Sequence, residues 1–340
     1  MTFKELLHKL SFSEDLSSDE AELAMNLIMN GEVESEQIAG FLTAMRLKGE
    51  SVDELTAFVK VMREKVVPVN VDITRAVDLV GTGGDQSGTF NISTISAVVT
   101  ASAGVPVIKH GNRSASSKCG SADVLEAMGA NIELGQEQVE QVFNEVGMAF
   151  MFAPMFHPAM KYVMPARRAL GFRTFFNILG PLVNPAGVKR YVIGAFSKDV
   201  AHKMVHILAN LETDFAYTFN AQDGLDEVSL TSATDMFELK EHMVSESITF
   251  HPESIGLNKV DMDSLAGGDP QLNAQIFTDI LDNTSTQAQK NMVVLNATFA
   301  IQASGKVEHL SDAKALAMEA IETGKAKAFF ERFKAATHKV

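Results

Sequence analysis

Glycines, hydroxyls and a carboxylate gather at Gly81-Thr82-Gly83-Gly84-Asp85, and the run continues Gln86-Ser87-Gly88-Thr89-Phe90-Asn91-Ile92-Ser93-Thr94. Glycines let backbone amides come close to a phosphate, and the start of a following helix adds a favourable dipole. Ser, Thr and Asn side chains can donate to the same anion. The spacing is neither G-x-G-x-x-G nor G-x-x-x-x-G-K-[ST], so the two common nucleotide fingerprints do not apply. Taken alone, a glycine-rich structural turn is the plain alternative.

The second cluster is Lys109-His110-Gly111-Asn112-Arg113-Ser114-Ala115-Ser116-Ser117-Lys118-Cys119-Gly120-Ser121. Its basic and hydroxyl side chains make a local anion site within an acidic chain. Lys109 can serve as a point charge on a phosphate while the serines donate. Read as a loop after a strand, it stands where ligands of α/β proteins usually bind. The third cluster, Asp223-Gly224-Leu225-Asp226-Glu227, suits Mg²⁺, which takes a few carboxylates with waters and substrate phosphates. An acidic turn by itself is more often solvated surface. The fourth, Arg167-Arg168-Ala169-Leu170-Gly171-Phe172-Arg173-Thr174, offers guanidinium forks that fit a planar carboxylate, or else a salt-bridged helix end. After it, Asn177 to Pro185 reads as a rigid turn that lines a pocket or only redirects the chain.

Other reactive side chains carry less. His157, His202, His206, His242 and His251 lack metal-ligand spacing and read as structural or surface groups. Cys119 has no base beside it in sequence, which argues against a nucleophile. As the only cysteine it cannot form an internal disulfide, which suits a reducing cytosol. The methionines read as core filling.

These clusters need a frame. Up to about residue 65 the apolar spacing is helical throughout. Phe3, Leu6, Leu7 and Leu10 share a face; Ile38, Phe41, Leu42 and Met45 form another stripe. Ser17 with Glu20, and Ser51 with Glu54, have capping-box spacing. Beyond the hinge at Pro68-Val69 the pattern alternates. Strands are expected at 76–80, 105–108, 148–152, 191–195 and 215–219. Helices are expected at 92–103, around 122–128 and at 200–211. Alternating β and α elements predict a mostly parallel sheet covered by helices. From about residue 271 the chain returns to helix. The expected division is a small all-helical domain over 1–67, with a later helical segment near 155–185 packing on it, and a large α/β domain over 68–340.

The bulk properties narrow the function. The 340 residues carry a net charge of -14, with 46% hydrophobic and 21% charged. That is ample for a sizeable core and ill suited to nucleic acid, whose affinity rests on Lys and Arg. The N-terminus does not read as a signal peptide, and no run reads as a membrane span.

At these residues the chain resembles the anthranilate phosphoribosyltransferase family of tryptophan biosynthesis. Motifs match in order: GTGGDxxxTFNIST at 81–94, KHGNRSxSSKxGSADVLEAxG at 109–129, RRxLGxRTxFNxLGPLxNP at 167–185 and DGLDE at 223–227. The resemblance implies a cytoplasmic homodimer with a small helical domain and a large α/β domain. It implies transfer of a phosphoribosyl group from phosphoribosyl pyrophosphate to the amine of anthranilate. By motif position, Gly81, Gly84, Asp85, Thr89, Asn91, Ile92, Ser93, Thr94, Lys109, His110, Gly111, Asn112, Arg113, Ser114, Ala115, Ser116, Ser117 and Ser121 would bind phosphoribosyl pyrophosphate. Ser93, Asp226 and Glu227 would hold Mg²⁺. Gly81, His110, Asn112 and Arg167 would contact anthranilate, Arg167 on its carboxylate, with His110 the nearest proton acceptor. The chain departs from the family at Asn220-Ala221, where His-Gly is frequent, and at Leu272, where Glu is common. The alternatives are a pyrimidine nucleoside phosphorylase-like enzyme on the same fold and a non-catalytic relative.

Overall fold

The computed structural model describes every residue except Gln86, Ala115, Ser116 and Ser117. Four helices open the chain: α1 (Phe3–Ser11), α2 (Ser18–Met29), α3 (Ser35–Lys48) and α4 (Val52–Glu64). Thr2, Ser17 and Ser51 each close a capping box, and every apolar stripe read from the sequence turns inward. Glu54 does more than cap. Fully buried, it accepts from Leu16 N at 2.9 Å, Ser51 N at 2.8 Å and Lys48 Nζ at 2.8 Å.

The rest of the chain builds one mixed sheet. Its strands are β1 (Val77–Gly81), β2 (Val107–Gly111), β3 (Met148–Phe152), β4 (Arg190–Gly194), β5 (Phe215–Ala221), β6 (Thr234–Lys240), β7 (Met243–Val244) and β8 (Ile248–Phe250). The order is β3-β2-β1-β4-β5-β6-β7, with β8 also paired to β6. From β3 to β5 all pairings are parallel; β6, β7 and β8 pair antiparallel. Helices α5 (Ile92–Ser102), α6 (Ser121–Ala127) and α7 (Gln136–Val146) connect the first strands, and α11 (Lys198–Ala209) joins β4 to β5. The tail is helical, as α12 (Pro270–Leu281), α13 (Gln287–Ala303), α14 (Leu310–Glu322) and α15 (Lys325–Lys339). Of these, α13 packs on α5 and on the central strands β1, β4 and β5.

Between β3 and β4 the chain leaves the sheet for α8 (Ala153–Phe156), α9 (Met164–Leu170) and α10 (Phe176–Leu179). Here α9 lies against α3. The Phe175 ring sits 4.7 Å from Phe58 and 6.1 Å from Phe41, inside the N-terminal bundle. Arg63 on α4 reciprocates, donating to the Leu182 carbonyl at 2.9 Å and to the Tyr191 hydroxyl at 3.0 Å.

Two features differ from the sequence reading. Lys109, His110 and Gly111 were expected in a loop but end β2, in parallel register with Phe150, Met151 and Phe152. Burial of Lys109 and His110 on a strand flanked on both sides hides the apolar run that a sequence reading looks for. The strands β6, β7 and β8 also escape it. Thr234-Asp235-Met236-Phe237-Glu238-Leu239-Lys240 mixes charges into a short run, as strands near a sheet edge do.

Candidate active site

Strand β1 has β2 on one side and β4 on the other, so the chain order reverses between β1 and β4. In such sheets ligands bind in the crevice beyond the carboxyl ends of the strands at the reversal. Gly81 and Gly194 end those two strands and stand opposite each other in register. Both glycines are required by one neighbour. A Cβ on Gly81 would strike the Asp226 carboxylate, and a Cβ on Gly194 would strike the Asp226 backbone. The acidic turn is therefore seated directly on the switch point.

Hydrogen bonds fix it there. Gly83 N donates to Asp226 Oδ2 at 2.6 Å, and Ser93 N, in the first turn of α5, donates to Glu227 Oε1 at 3.1 Å. Asp226 is buried and Glu227 half-buried. Burial, then the charge of Asp85, pushes the Asp226 carboxyl upward; burial and Asp226 do the same to Glu227. Opposite them lies the buried Lys109. Its Nζ donates to the Leu79 carbonyl and, at 3.4 Å, to Ser93 Oγ. Burial lowers the Lys109 pKa, while Asp78, Glu227 and Asp226 oppose that shift. Lys109 thus works beneath the loop as the counter-charge of the carboxylates.

The carboxylate pair has the chemistry of a hard-cation site. Two crowded acids whose charged forms are disfavoured by burial and mutual repulsion gain from a divalent cation. Among the described residues no three His, Cys, Asp or Glu side chains close around one point. A pair of carboxylates suits Mg²⁺, which keeps waters and substrate phosphates in its shell.

Beside this crevice His110 and His157 place their Nε2 atoms 3.1 Å apart. The His110 ring also hydrogen-bonds the Gly180 backbone, which leaves its Nε2 as the acceptor for His157. Burial and His157 pull the His110 pKa down to about 3, and burial takes His157 to about 4. Both rings are neutral near pH 7. Asp78 anchors the strand below, accepting from His110 N at 3.3 Å and Asn184 Nδ2 at 2.8 Å. Arg167 is half-buried over the Phe176 ring, 5.5 Å from its centroid, and burial lowers its pKa. Among the described residues no acid pairs with it. A desolvated guanidinium without a counter-charge is a receptor for a carboxylate.

The "Glycosyl transferase family, helical bundle domain" matches residues 4–66, and the "Glycosyl transferase family, a/b domain" matches 73–327. The anthranilate phosphoribosyltransferase of Salinibacter ruber is 47% identical over 324 residues, 94% of each chain. That of Persephonella marina is 43% identical over 97% of this chain and 98% of its own. The chain belongs to the anthranilate phosphoribosyltransferase family. The family's crystal structure from Thermus thermophilus superposes with a TM-score of 0.91 at 38% identity, covering 98% of this chain and 99% of that one. The Saccharomyces cerevisiae enzyme, solved in complex with PRPP and Mg, shares the fold at a TM-score of 0.91 and 24% identity.

The family motifs come together unevenly. Gly81, Gly84, Asp85, Thr89, Asn91, Ile92, Ser93 and Thr94 wrap the end of β1 and the start of α5. Within that loop Ser87 Oγ donates to Asp85 Oδ2 at 2.6 Å, and Arg173 Nη2 donates to the Gly84 carbonyl. Arg113 turns outward to Asp123 at 3.0 Å and Glu126 at 2.7 Å. Asn112 is exposed; its carbonyl accepts from Ser121 Oγ at 3.2 Å. Gly111 has no room for a Cβ beside Ser121 and Phe150. Ser114 N donates to Asp123 at 3.1 Å, whereas Ala115, Ser116 and Ser117 lie outside the described residues. Asp223 turns away from the crevice to accept from Ser229 Oγ at 2.7 Å. Sequence reasoning missed Gly194, Asp78 and Asn273. Gly194 alone had a signal, a glycine closing an apolar strand run.

Proposed function

We propose that this chain transfers the phosphoribosyl group of 5-phosphoribosyl 1-pyrophosphate to the amine of anthranilate, giving N-(5-phosphoribosyl)anthranilate and pyrophosphate in tryptophan biosynthesis. The observation that carries the reading is the seating of Asp226 on Gly81 and Gly194 at the switch point, with Glu227 beside it held by Ser93 N. The phosphoribosyl pyrophosphate lies across the amides and hydroxyls at Gly81, Gly84, Asp85, Thr89 and 91–94, and along 109–117 to Ser121. Glu227 and Asp226, with Ser93, hold Mg²⁺. When bound, that ion neutralises charge on the pyrophosphate leaving group.

The chain's own residues do the rest. Backbone amides of the glycine loop stay fixed toward the leaving group as its charge develops. Lys109 keeps the carboxylate pair ionised enough to serve a cation. Arg167 takes the anthranilate carboxylate, and Gly81, His110 and Asn112 border the ring. His110, the expected proton acceptor, is too weak a base at a pKa of about 3 to hold a proton near neutrality. We assign it a neutral hydrogen bond that orients the substrate. Positioning the weakly nucleophilic amine in line then supplies much of the rate, in favourable cases up to about 7–11 kcal/mol.

The reading extends to the whole protein. The domain division falls at 67/68, and the protein is a cytoplasmic homodimer joined through the helical bundle, where Phe12 and Leu47 stay exposed. No helix among the described residues is long and apolar enough to cross a membrane. The deciding assay follows anthranilate fluorescence with phosphoribosyl pyrophosphate and Mg²⁺. Loss of signal in proportion to enzyme is expected. A flat trace at high enzyme, or phosphorolysis of thymidine or uridine instead, overturns the reading.

A further inference from the structure

Asn273 is not among the residues assigned to a substrate, yet three separate segments meet at its amide. It lies in α12 and is 2% exposed. Its Nδ2 donates to Asn91 Oδ1 at 2.9 Å, and its Oδ1 accepts from Gly268 N at 2.8 Å. It also hydrogen-bonds the Cys119 thiol. Asn91 is the last residue before α5, at the end of the glycine loop. Its Nδ2 donates to the Cys119 carbonyl at 3.1 Å, and its Oδ1 accepts from Cys119 Sγ at 3.3 Å as well. Cys119 stands at the end of the basic-serine segment, just before α6.

The backbone repeats the connection. Gly267 N donates to the Gly88 carbonyl at 2.8 Å, and Phe90 N donates to the Leu265 carbonyl at 3.2 Å. Thr89 and Ala266 form an antiparallel bridge. A Cβ on Gly267 would meet the Phe90 backbone at 2.6 Å. The segment before α12 is thus a strap drawn over the glycine loop. Asn91 is turned to the inside of this knot, with Nδ2 and Oδ1 both held by protein partners.

We infer that Asn273 is a positioning residue: through Asn91 and Cys119 it locks the glycine loop and the basic-serine segment into one phosphate-binding surface. The inference rests on the proposed function for its substrate, but its geometry does not. Preorganised donors cost nothing to order when the ligand arrives, so loosening the lock weakens binding of the phosphorylated substrate in particular.

Asn273→Asp is the discriminating substitution. It is isosteric and keeps the acceptor for Gly268 N, but it replaces the donor to Asn91 by a second acceptor. The expected result is a rise of roughly tenfold in the KM for phosphoribosyl pyrophosphate, the scale of one lost hydrogen bond, with the anthranilate KM within about twofold of wild type. Faster amide hydrogen exchange at Phe90–Ser93 and at 119–121 is expected in the same variant without substrate. Asn273→Ala should show both effects more strongly, and Asn273→Gln should recover neither, because its amide reaches too far. Equal rises in both KM values, or unchanged exchange in a folded Asn273→Asp variant, overturn the inference. A wild-type chain inactive on anthranilate while the variant's exchange still rises removes the substrate reading and leaves the lock.

Discussion

At the scale of single residues, the site is a set of charges placed where water is scarce, and each can be tested by what it should hold. Arg167 is desolvated over Phe176 without an acid partner among the described residues. Arg167→Ala should therefore raise the anthranilate KM about 10- to 100-fold, the worth of a charge-assisted hydrogen bond. The KM for phosphoribosyl pyrophosphate should stay nearly unchanged; equal effects on both would remove the carboxylate assignment. Asp226→Asn with Glu227→Gln should shift the Mg²⁺ titration of activity at least about tenfold higher, and an unmoved titration would empty that site. The His110–His157 pair makes a claim about pH. Imidazoles ordinarily near 6.5 are held at about 3 and about 4 in the folded chain. Between pH 6.5 and 4 the unfolded chain binds protons that the folded chain refuses, so their contribution is complete above about 6.5 and is lost as pH falls. The raised carboxyls of Asp78, Asp226 and Glu227 work with the opposite sign. The test is thus the difference between wild type and His157→Gln in thermal melts. The stability gap should narrow from pH 7.5 to pH 5, and a constant gap would show that His157 is not held neutral by burial.

At the scale of elements, the switch point between β1 and β4 does the positioning, and glycine is what makes it close. Gly194→Ala puts a methyl into the Asp226 backbone. The turn must lift, so Mg²⁺ affinity should fall roughly 10- to 100-fold, as when an outer support of a metal site is lost. Overpacking should also cost about 1–3 kcal/mol of stability. A variant with wild-type Mg²⁺ dependence would place the cation elsewhere. How much of this is legible in sequence differs by element. The helices of the bundle and the parallel strands announce themselves, because capping boxes and continuous apolar runs are local signals. The glycine loop, the acidic turn and the Arg segment are legible as chemistry for the same reason. The termination of β2 is not, since Lys109 and His110 look like loop residues until pairing with β3 and burial beside Asp78 are known. Gly194 is legible only as a glycine closing an apolar run; its requirement comes from a turn more than thirty positions downstream. The Arg113 guanidinium, in a phosphate-like cluster, is held by Asp123 and Glu126. Partners distant in sequence decide these cases, and no local pattern encodes them.

At the scale of the whole molecule, the two halves are stitched by the segment that leaves the sheet after β3. That segment carries Arg167 on α9, Phe175 into the bundle and Gly180 to His110. On the proposed assignment, the anthranilate side of the crevice is thus attached to the helical bundle, whereas the phosphate side belongs to the sheet and meets this segment at Arg173. Arg63 on α4 pins the same segment from the bundle side through the Leu182 carbonyl. If this division is real, loosening the stitch should harm one substrate selectively. Phe175 is fully buried between Phe41, Phe58 and Phe176. Phe175→Ala should cost about 3–5 kcal/mol by leaving a cavity where the ring sat. Assayed well below its lowered melting temperature, the folded variant should lose less for phosphoribosyl pyrophosphate than for anthranilate, because Lys109 and the acidic turn are held at the sheet, while the glycine loop meets this segment at the Arg173 bond to the Gly84 carbonyl. Its anthranilate KM should rise several-fold, since small displacements of Arg167 and His110 degrade a directional contact. A proportional loss for both substrates would mean that the bundle supports the crevice as one body and that the ligand sites are not divided between the two halves.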